Sequence, residues 1–90
     1  MDYVFPIEGP HDESRLSNLQ PGDAVTLLVV ADRSHLGPDV ERSLEKLRRR
    51  AALLASQLSN RGVHSKVLIE WGSKADVAKA CAQREKAKLL

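Results

Sequence analysis

Three histidines and one cysteine are the side chains of this sequence whose chemistry first suggests metal binding or nucleophilic catalysis. His11, His35 and His64 lie in three separate segments, and their spacing places no two of them on one helix face. Imidazoles bind zinc when a fold brings several together, so the sequence alone predicts no metal site. Cys81 lies among alanines, which is typical of a small buried side chain rather than of a nucleophile.

Acyl transfer and phosphate binding are the next chemistries to consider. Ser34 and His35 are neighbours, but the sequence assigns no third group that would orient the imidazole, as a hydrolase triad requires. The five glycines match neither common phosphate-binding spacing, G-x-G-x-x-G or G-x-x-x-x-G-K-[ST]. We therefore expect no catalytic residues and a protein that is not an enzyme.

The densest local charge is a basic cluster formed by Lys46, Arg48, Arg49 and Arg50. A basic stripe attracts the phosphates of nucleic acid or an acidic lipid surface. Glu41 and Glu45 lie beside this cluster, which is more typical of a solvated helix face. The chain has only three aromatic residues with which bases could stack, so nucleic acid is the less favoured partner.

Composition restricts the class of protein. Ninety residues, 42% hydrophobic and 29% charged, predict one small globular domain over 1–90 rather than a disordered chain. The sequence contains no run of about 18 apolar residues, so no membrane-spanning helix is predicted. The first residues resemble no signal peptide, and one cysteine cannot form an internal disulfide. A reducing, cytoplasmic location is the resulting expectation.

Strand and helix patterns alternate along the chain. Strands are predicted over 2–8, 24–31 and 64–71, the start of another over 87–90, helices over 39–60 and 73–86, and a short helix or ordered loop over 11–20. Residues 24–31 are continuously apolar, as in a strand covered on both faces, whereas polar ends place 64–71 nearer the sheet edge. The alternation predicts a three-layer α/β/α fold around a mostly parallel sheet, incomplete at its C-terminal end.

The predicted helix over 39–60 carries an apolar stripe made of Val40, Leu44, Leu47, Ala51, Leu54 and Leu58. Gly62 is expected to end it as a left-handed cap. The spacing also fits a coiled-coil seam, but there are fewer than three heptads, and the flanking strands favour packing on a sheet. Ser73 and Asp76 predict a capping box at the start of the next helix.

Open parallel sheets bind ligands beyond the carboxyl ends of their strands, where the strand order reverses. This rule selects Glu8, Asp32 and Ser73 as the mouth of a candidate ligand-binding site, because each lies at the end of a predicted strand. Ser73 also begins a helix, whose free backbone N–H groups receive anions. The simpler alternative is that Glu8 and Asp32 are solvated loop acids and Ser73 is only a cap.

Several short motifs follow one another in a recognisable order. Pro6-Ile7-Glu8-Gly9 ends the first predicted strand, and Leu27-Leu28-Val29-Val30 lies in the second. Arg61-Gly62-Val63 follows the long helix, and Ala87-Lys88-Leu89-Leu90 resembles the beginning of an Ala-Asp-Leu-Ile strand. Together they resemble the universal stress protein family, in which the first strand ends in Pro-x-Asp-Gly and the second in Leu-Leu-His-Val.

The resemblance implies a domain that acts in a stress response by ligand binding and dimerisation. It implies ATP or AMP as the ligand, with Pro6, Glu8 and Val30 around the adenine and ribose. The family's aspartate is Glu8 here, and the 90 residues contain no counterpart of the family's glycine-rich G-x2-G-x9-G-[ST] phosphate loop.

Other interpretations stay open at the level of sequence. The chain is a fragment, a truncated relative, or a domain completed by another chain, and an unfinished sheet edge favours a homodimer or a completing partner. The alternative function is a regulatory or interaction module without a nucleotide, related to the cytosolic domains appended to transporters. A nucleic-acid binder that uses the basic helix is the less favoured alternative.

Overall fold

The architecture is taken from a computed structural model, which describes residues 1–7, 12–32 and 37–90. In chain order the elements are β1 (Asp2–Pro6), α1 (Asp12–Leu16), β2 (Ala24–Ala31), α2 (Val40–Asn60), β3 (His64–Trp71), α3 (Lys74–Glu85) and β4 (Lys88–Leu89). The strands form one sheet in the order β3-β2-β1-β4, and all three pairings are parallel. The predicted three-layer α/β/α fold is confirmed.

The second strand is the centre of the molecule. Every residue of β2 after Ala24 is buried, because β1 and β3 pair with its two edges and helices cover its two faces. Its bounds agree with the prediction from the continuous apolar run. The prediction that β3 lies at the sheet edge is also confirmed.

Successive side chains of the strands point to opposite faces of the sheet and pack in two separate cores. Odd-numbered strand residues such as Phe5 and Leu27 pack with α1 and with Ala51, Leu54 and Leu58 of α2. Even-numbered residues on the opposite face form a smaller cluster with α3, which consists of Val4, Leu28, Val30, Ala78 and Cys81. The sheet is therefore a middle layer with a large core on one side and a small core on the other.

The long helix packs on the sheet, so the coiled-coil alternative is wrong. The buried members of its apolar stripe are Ala51, Leu54 and Leu58, in its second half. Gly62 has a φ of 79° and follows the helix in a left-handed conformation, as predicted. The N–H groups of Gly62 and Val63 donate to the carbonyls of Ser59 and Leu58, which is a Schellman motif.

The side chain of Arg61 ties the end of α2 to the segment after α1. Its guanidinium donates to the carbonyl oxygens of Leu16, Ser17 and Leu19 at 3.1, 3.1 and 2.7 Å. Residues 11–20 were expected to form a short helix or an ordered loop, and α1 within them is a helix of five residues. These three bonds hold the segment after α1 against the C-terminal end of α2.

The first strand is shorter than predicted, and its last residue is a proline in the middle of the sheet. The strand expected over 2–8 spans Asp2–Pro6, and β4 pairs with it only at Tyr3 and Val4. The N–H of Ile7 donates to Leu28 on β2, whereas Val4 accepts from Leu90 on the other side. Alternation along the strand therefore directs the nitrogen of Pro6 toward β4.

Proline has no N–H, so Pro6 cannot donate a backbone hydrogen bond toward β4, and the β1–β4 pairing has no such bond at this position. The tolerance of a proline in this central strand is thus explained by its position at the end of the ladder.

No helix among the described residues has the length and apolar composition needed to cross a lipid bilayer.

Candidate functional site

A crevice of about 600 Å³ opens at the carboxyl ends of β1 and β4. These strands are neighbours in the sheet, but the chain crosses from β3 at one edge to β4 at the other to bring them together. This is the place where the strand order reverses, and open α/β sheets bind their ligands there. The crevice is lined by Pro6, Asp32, Ser73, Lys74, Ala75, Ala78, Lys79, Leu89 and Leu90.

The crevice combines an apolar lining with a few charges. Its apolar part comes from the strand ends and from alanines on the first two turns of α3. Lys74, Lys79 and Asp32 supply the charged groups. Such a mixture of an apolar surface and a few polar groups is typical of sites for small molecules, which usually measure roughly 300–1,000 Å³.

Asp32 caps helix α3 from outside that helix. Its Oδ2 accepts a hydrogen bond of 3.3 Å from the backbone N–H of Lys74, the first residue of α3. Ser73 is the N-cap residue, but its side chain makes no capping hydrogen bond, so the predicted Ser73–Asp76 capping box is wrong. Asp32 does this work because β2 ends directly beside the start of α3.

The same contact changes the expected anion site. A carboxylate already lies at the positive end of the α3 dipole, and Asp76 adds a second acidic residue in the first turn. A phosphate at Ser73 would lie close to the carboxylates of Asp32 and Asp76, which would repel it. The cations of the crevice, Lys74 and Lys79, are therefore the better partners for an anionic group.

The sequence-predicted residues are brought together only in part. Pro6, Asp32 and Ser73 all line the crevice. Val30 is 8% exposed and packs in the small core under α3 with Ala78, so its side chain is not among the lining groups. Glu8, the fifth predicted residue, lies outside the described part of the chain.

Sequence reasoning missed the contribution of α3. Ala75 and Lys79 are four residues apart, which places them on one face of the helix above the crevice. Their spacing is visible in the sequence, but the strand order that puts this face beside β4 is not. Leu89 was missed for the same reason, because only its pairing with Val4 brings it to the mouth.

A second hollow of about 470 Å³ adjoins Asp32 on its other side, between the ends of β2 and β3. It is lined by Ala31, Asp32, Trp71 and Gly72. Gly72 has a φ of 142°, and a Cβ there would lie 2.9 Å from Val77 Cγ2. Only glycine therefore allows β3 to pass this closely into α3.

A third hollow, of about 310 Å³, lies at the opposite end of the sheet. Its lining includes Tyr3, His64, Lys66 and Glu85, and the last two form an ion pair of 3.1 Å. It adjoins the amino ends of the strands, where parallel sheets do not usually place ligands. The crevice beside β4 is therefore the stronger candidate.

Cys81 and the basic cluster, which the sequence suggested for their chemistry, lie in surroundings that are typical of structural residues. Cys81 is fully buried, and this burial raises the pKa of its thiol, which agrees with the expectation of a small core side chain. Within the basic cluster, Arg48 and Arg49 lie 3.9 and 3.3 Å from Glu45 carboxylate oxygens and are exposed. These arginines thus lie on a solvated face, as expected. The described residues include no group of three or more metal-ligating side chains.

Comparison of the chain with protein-family models, curated proteins and solved structures found no match. Its class is therefore defined by the fold and the crevice, as a doubly wound parallel α/β domain with a pocket at the strand-order reversal.

Proposed function

We propose that the protein is a non-catalytic binding module that holds an adenine nucleotide, AMP or ATP, in the crevice beside β4. The observation that carries the proposal is the coincidence of an apolar crevice of about 600 Å³, one carboxylate and two lysines at the strand-order reversal. The motif order that resembles universal stress proteins supports the same ligand class.

Each part of a nucleotide has a counterpart in the crevice. The base packs on the apolar surface of Pro6, Ala75 and Leu89. Asp32, at the carboxyl end of β2, accepts hydrogen bonds from the ribose hydroxyls, a role that acids at this position of doubly wound sheets perform. Lys79 and Lys74 neutralise the phosphate, since the acids at the start of α3 disfavour it there.

The proposal includes the broader role that the resemblance implies, a universal-stress-protein-like domain in a cytoplasmic stress response. A single buried thiol suits a reducing compartment. Dimerisation belongs to this role as well.

Isothermal titration of the wild-type protein with AMP, ADP and ATP tests the binding. We expect saturable heat with at least one of them, and weaker binding of 2′,3′-dideoxy-AMP than of AMP because Asp32 loses its hydroxyl donors. Asp32→Asn should weaken AMP binding by about tenfold and remove this preference, since hydrogen bonds to charged groups contribute about 1.5–3 kcal/mol.

A matched pair of variants locates the site. Ala75→Phe fills the crevice and should abolish binding, whereas Ala80→Phe places the same ring on another exposed part of α3 and should leave binding unchanged. Circular dichroism confirms that both variants fold. Absence of heat with all three nucleotides, or unchanged binding by Ala75→Phe, would overturn the proposal and leave the interaction module as the better explanation.

A further inference from the structure

The outer edge strand β3 is long and exposes apolar side chains on one of its two faces. The strand has eight residues, and no other strand of the described chain pairs with its outer side. Val67 and Ile69 are each 39% exposed and lie on the α2 face, in register with Leu27 and Val29. A long exposed edge with apolar side chains is a template for pairing with another strand.

The backbone groups of β3 that face away from β2 also lie at odd-numbered positions. The N–H groups of His64 and Gly72 donate to Asp23 and Ala31 at 2.9 and 3.2 Å, so even-numbered positions bond toward β2. In a parallel ladder the alternate residues direct N–H and C=O away from that partner. Val67 and Ile69 therefore direct their backbone groups outward.

The charges on the edge strand are complementary to themselves. Lys66 and Glu70 lie two residues before and two residues after Leu68. In an antiparallel pair centred on Leu68, Lys66 of each copy lies directly opposite Glu70 of the other, and Val67 lies opposite Ile69. A slip of two residues in either direction places a charged residue opposite Leu68 instead.

The structure already holds these two side chains in place. Lys66 forms an ion pair of 3.1 Å with Glu85, and Glu70 one of 2.7 Å with Arg84, both on α3. In the antiparallel arrangement, these two ion pairs of one copy lie beside those of the other copy across the two-fold axis. Positive and negative side chains then alternate along the contact. Residues directly opposite at positions that exchange no backbone bonds bring their side chains closest, which favours this contact.

We propose that a second copy of this chain pairs with the β3 edge, antiparallel and centred on Leu68, to form an eight-stranded sheet across a two-fold axis. The interface is isologous, because each copy contributes the same strand. The Lys66–Glu70 pairs set the register, and Val67 and Ile69 of both copies form a continuous apolar strip on the α2 face. This inference rests on the dimerisation included in the proposed function and specifies its surface. That surface is separate from the crevice beside β4, so a failure of nucleotide binding would not be a failure of the dimer.

Sedimentation equilibrium over a range of concentrations tests the proposal with charge-reversal variants. The wild type should be a dimer. Lys66→Glu and Glu70→Lys should each weaken dimerisation by roughly tenfold or more, because each places like charges opposite one another. Each variant also replaces one exposed ion pair with α3 by a like-charge contact, which costs little at an exposed position, and thermal unfolding verifies that both remain folded.

Mixing the two variants is the decisive measurement. One copy then carries Glu at 66 and 70 and the other carries Lys at both, so every cross-strand pair is again opposite in sign. A heterodimer of near wild-type affinity is expected from the mixture. Failure of the mixture to associate, or a monomeric wild type at millimolar concentration, would overturn the proposal.

Lys88→Glu is the matched control, because Lys88 is exposed on the strand at the other edge. It should leave the dimer unchanged, and loss of the dimer in this variant would assign the interface to β4 and overturn the proposal. Amide exchange gives an independent readout. The N–H groups of Val67 and Ile69 should exchange more slowly in the dimer than in the Lys66→Glu monomer.

Discussion

The two faces of the sheet differ in how they are covered. On one face, α1 and the long α2 bury large side chains such as Phe5, Leu54 and Leu58. On the other face, α3 contributes only Ala78 and Cys81 as fully packed residues. Large side chains bury more apolar area, so the α2 face supplies most of the stability. The small residues of α3 instead bring that helix close to the strand ends.

The candidate site follows from this difference. Alanines on α3 leave space at the carboxyl ends of the strands, and the crevice opens on that face rather than under α2. Arg61 further ties the α2 face together through its three bonds to the segment after α1. One face thus acts as a scaffold and the other carries the pocket.

Truncation of a core side chain on each face should separate these roles most strongly. Leu58→Ala should lower the free energy of unfolding by about 2–5 kcal/mol, because Leu58 is 2% exposed and its removal leaves a cavity. Cys81→Ala, on the opposite face, should cost about 1 kcal/mol, since it removes much less apolar area. Urea denaturation followed by circular dichroism measures both. Equal losses would contradict the division into a scaffold face and a pocket face.

Removal of the Asp32 cap should have a smaller effect, confined to the α3 face. Asp32→Ala should destabilise the unliganded protein by about 1 kcal/mol, as expected for a lost helix cap. Asp32→Asn keeps an acceptor oxygen and should lose less. Hydrogen exchange of the first turn of α3 should increase in Asp32→Ala and stay unchanged in α2. An equal increase in both helices would show that the cap does not act locally.

The smallest expected effect concerns Asp23, in the turn before β2, and depends on pH. The backbone N–H of Gln20 donates to Asp23 at 2.9 Å, and with the N-terminal ammonium this lowers the pKa of Asp23 below its ordinary 3.8. A lowered folded pKa means that the ionised carboxylate stabilises the fold, fully above about pH 4, and that this contribution is lost as the pH falls through the folded pKa.

Asp23→Asn should therefore be less stable than the wild type at neutral pH, and the difference should shrink below about pH 4. Thermal unfolding of both proteins between pH 2.5 and 7 measures this change. Asp2→Asn, which removes one carboxylate from an exposed side chain, serves as a control because it changes the net charge by the same amount. A difference between Asp23→Asn and the wild type that stays constant with pH would contradict the assigned role of the carboxylate.

Local patterns were sufficient to predict most of the fold. The apolar run of β2 and the stripe of α2 gave bounds within one residue of the observed ones, because each pattern reflects the packing of its own element. The cap on α3 could not be predicted in this way. Asp32 and Lys74 are 42 residues apart, and only the order of the strands brings them together. Local spacing therefore favoured Ser73, which makes no such bond.

The site was predictable to the extent that it depends on strand ends. Pro6 and Asp32 end adjacent parallel strands, and a general rule for such sheets selects that place. Lys79 and Leu89 enter the crevice only because β4 lies beside β1, which no local pattern reveals.

Pro6 also limits the contacts that can form inside the crevice. Its nitrogen faces β4 but carries no hydrogen, and no motion of the chain can supply one. A molecule lying against β1 at this position would therefore displace no backbone hydrogen bond donated by Pro6, and would contact the apolar pyrrolidine ring instead.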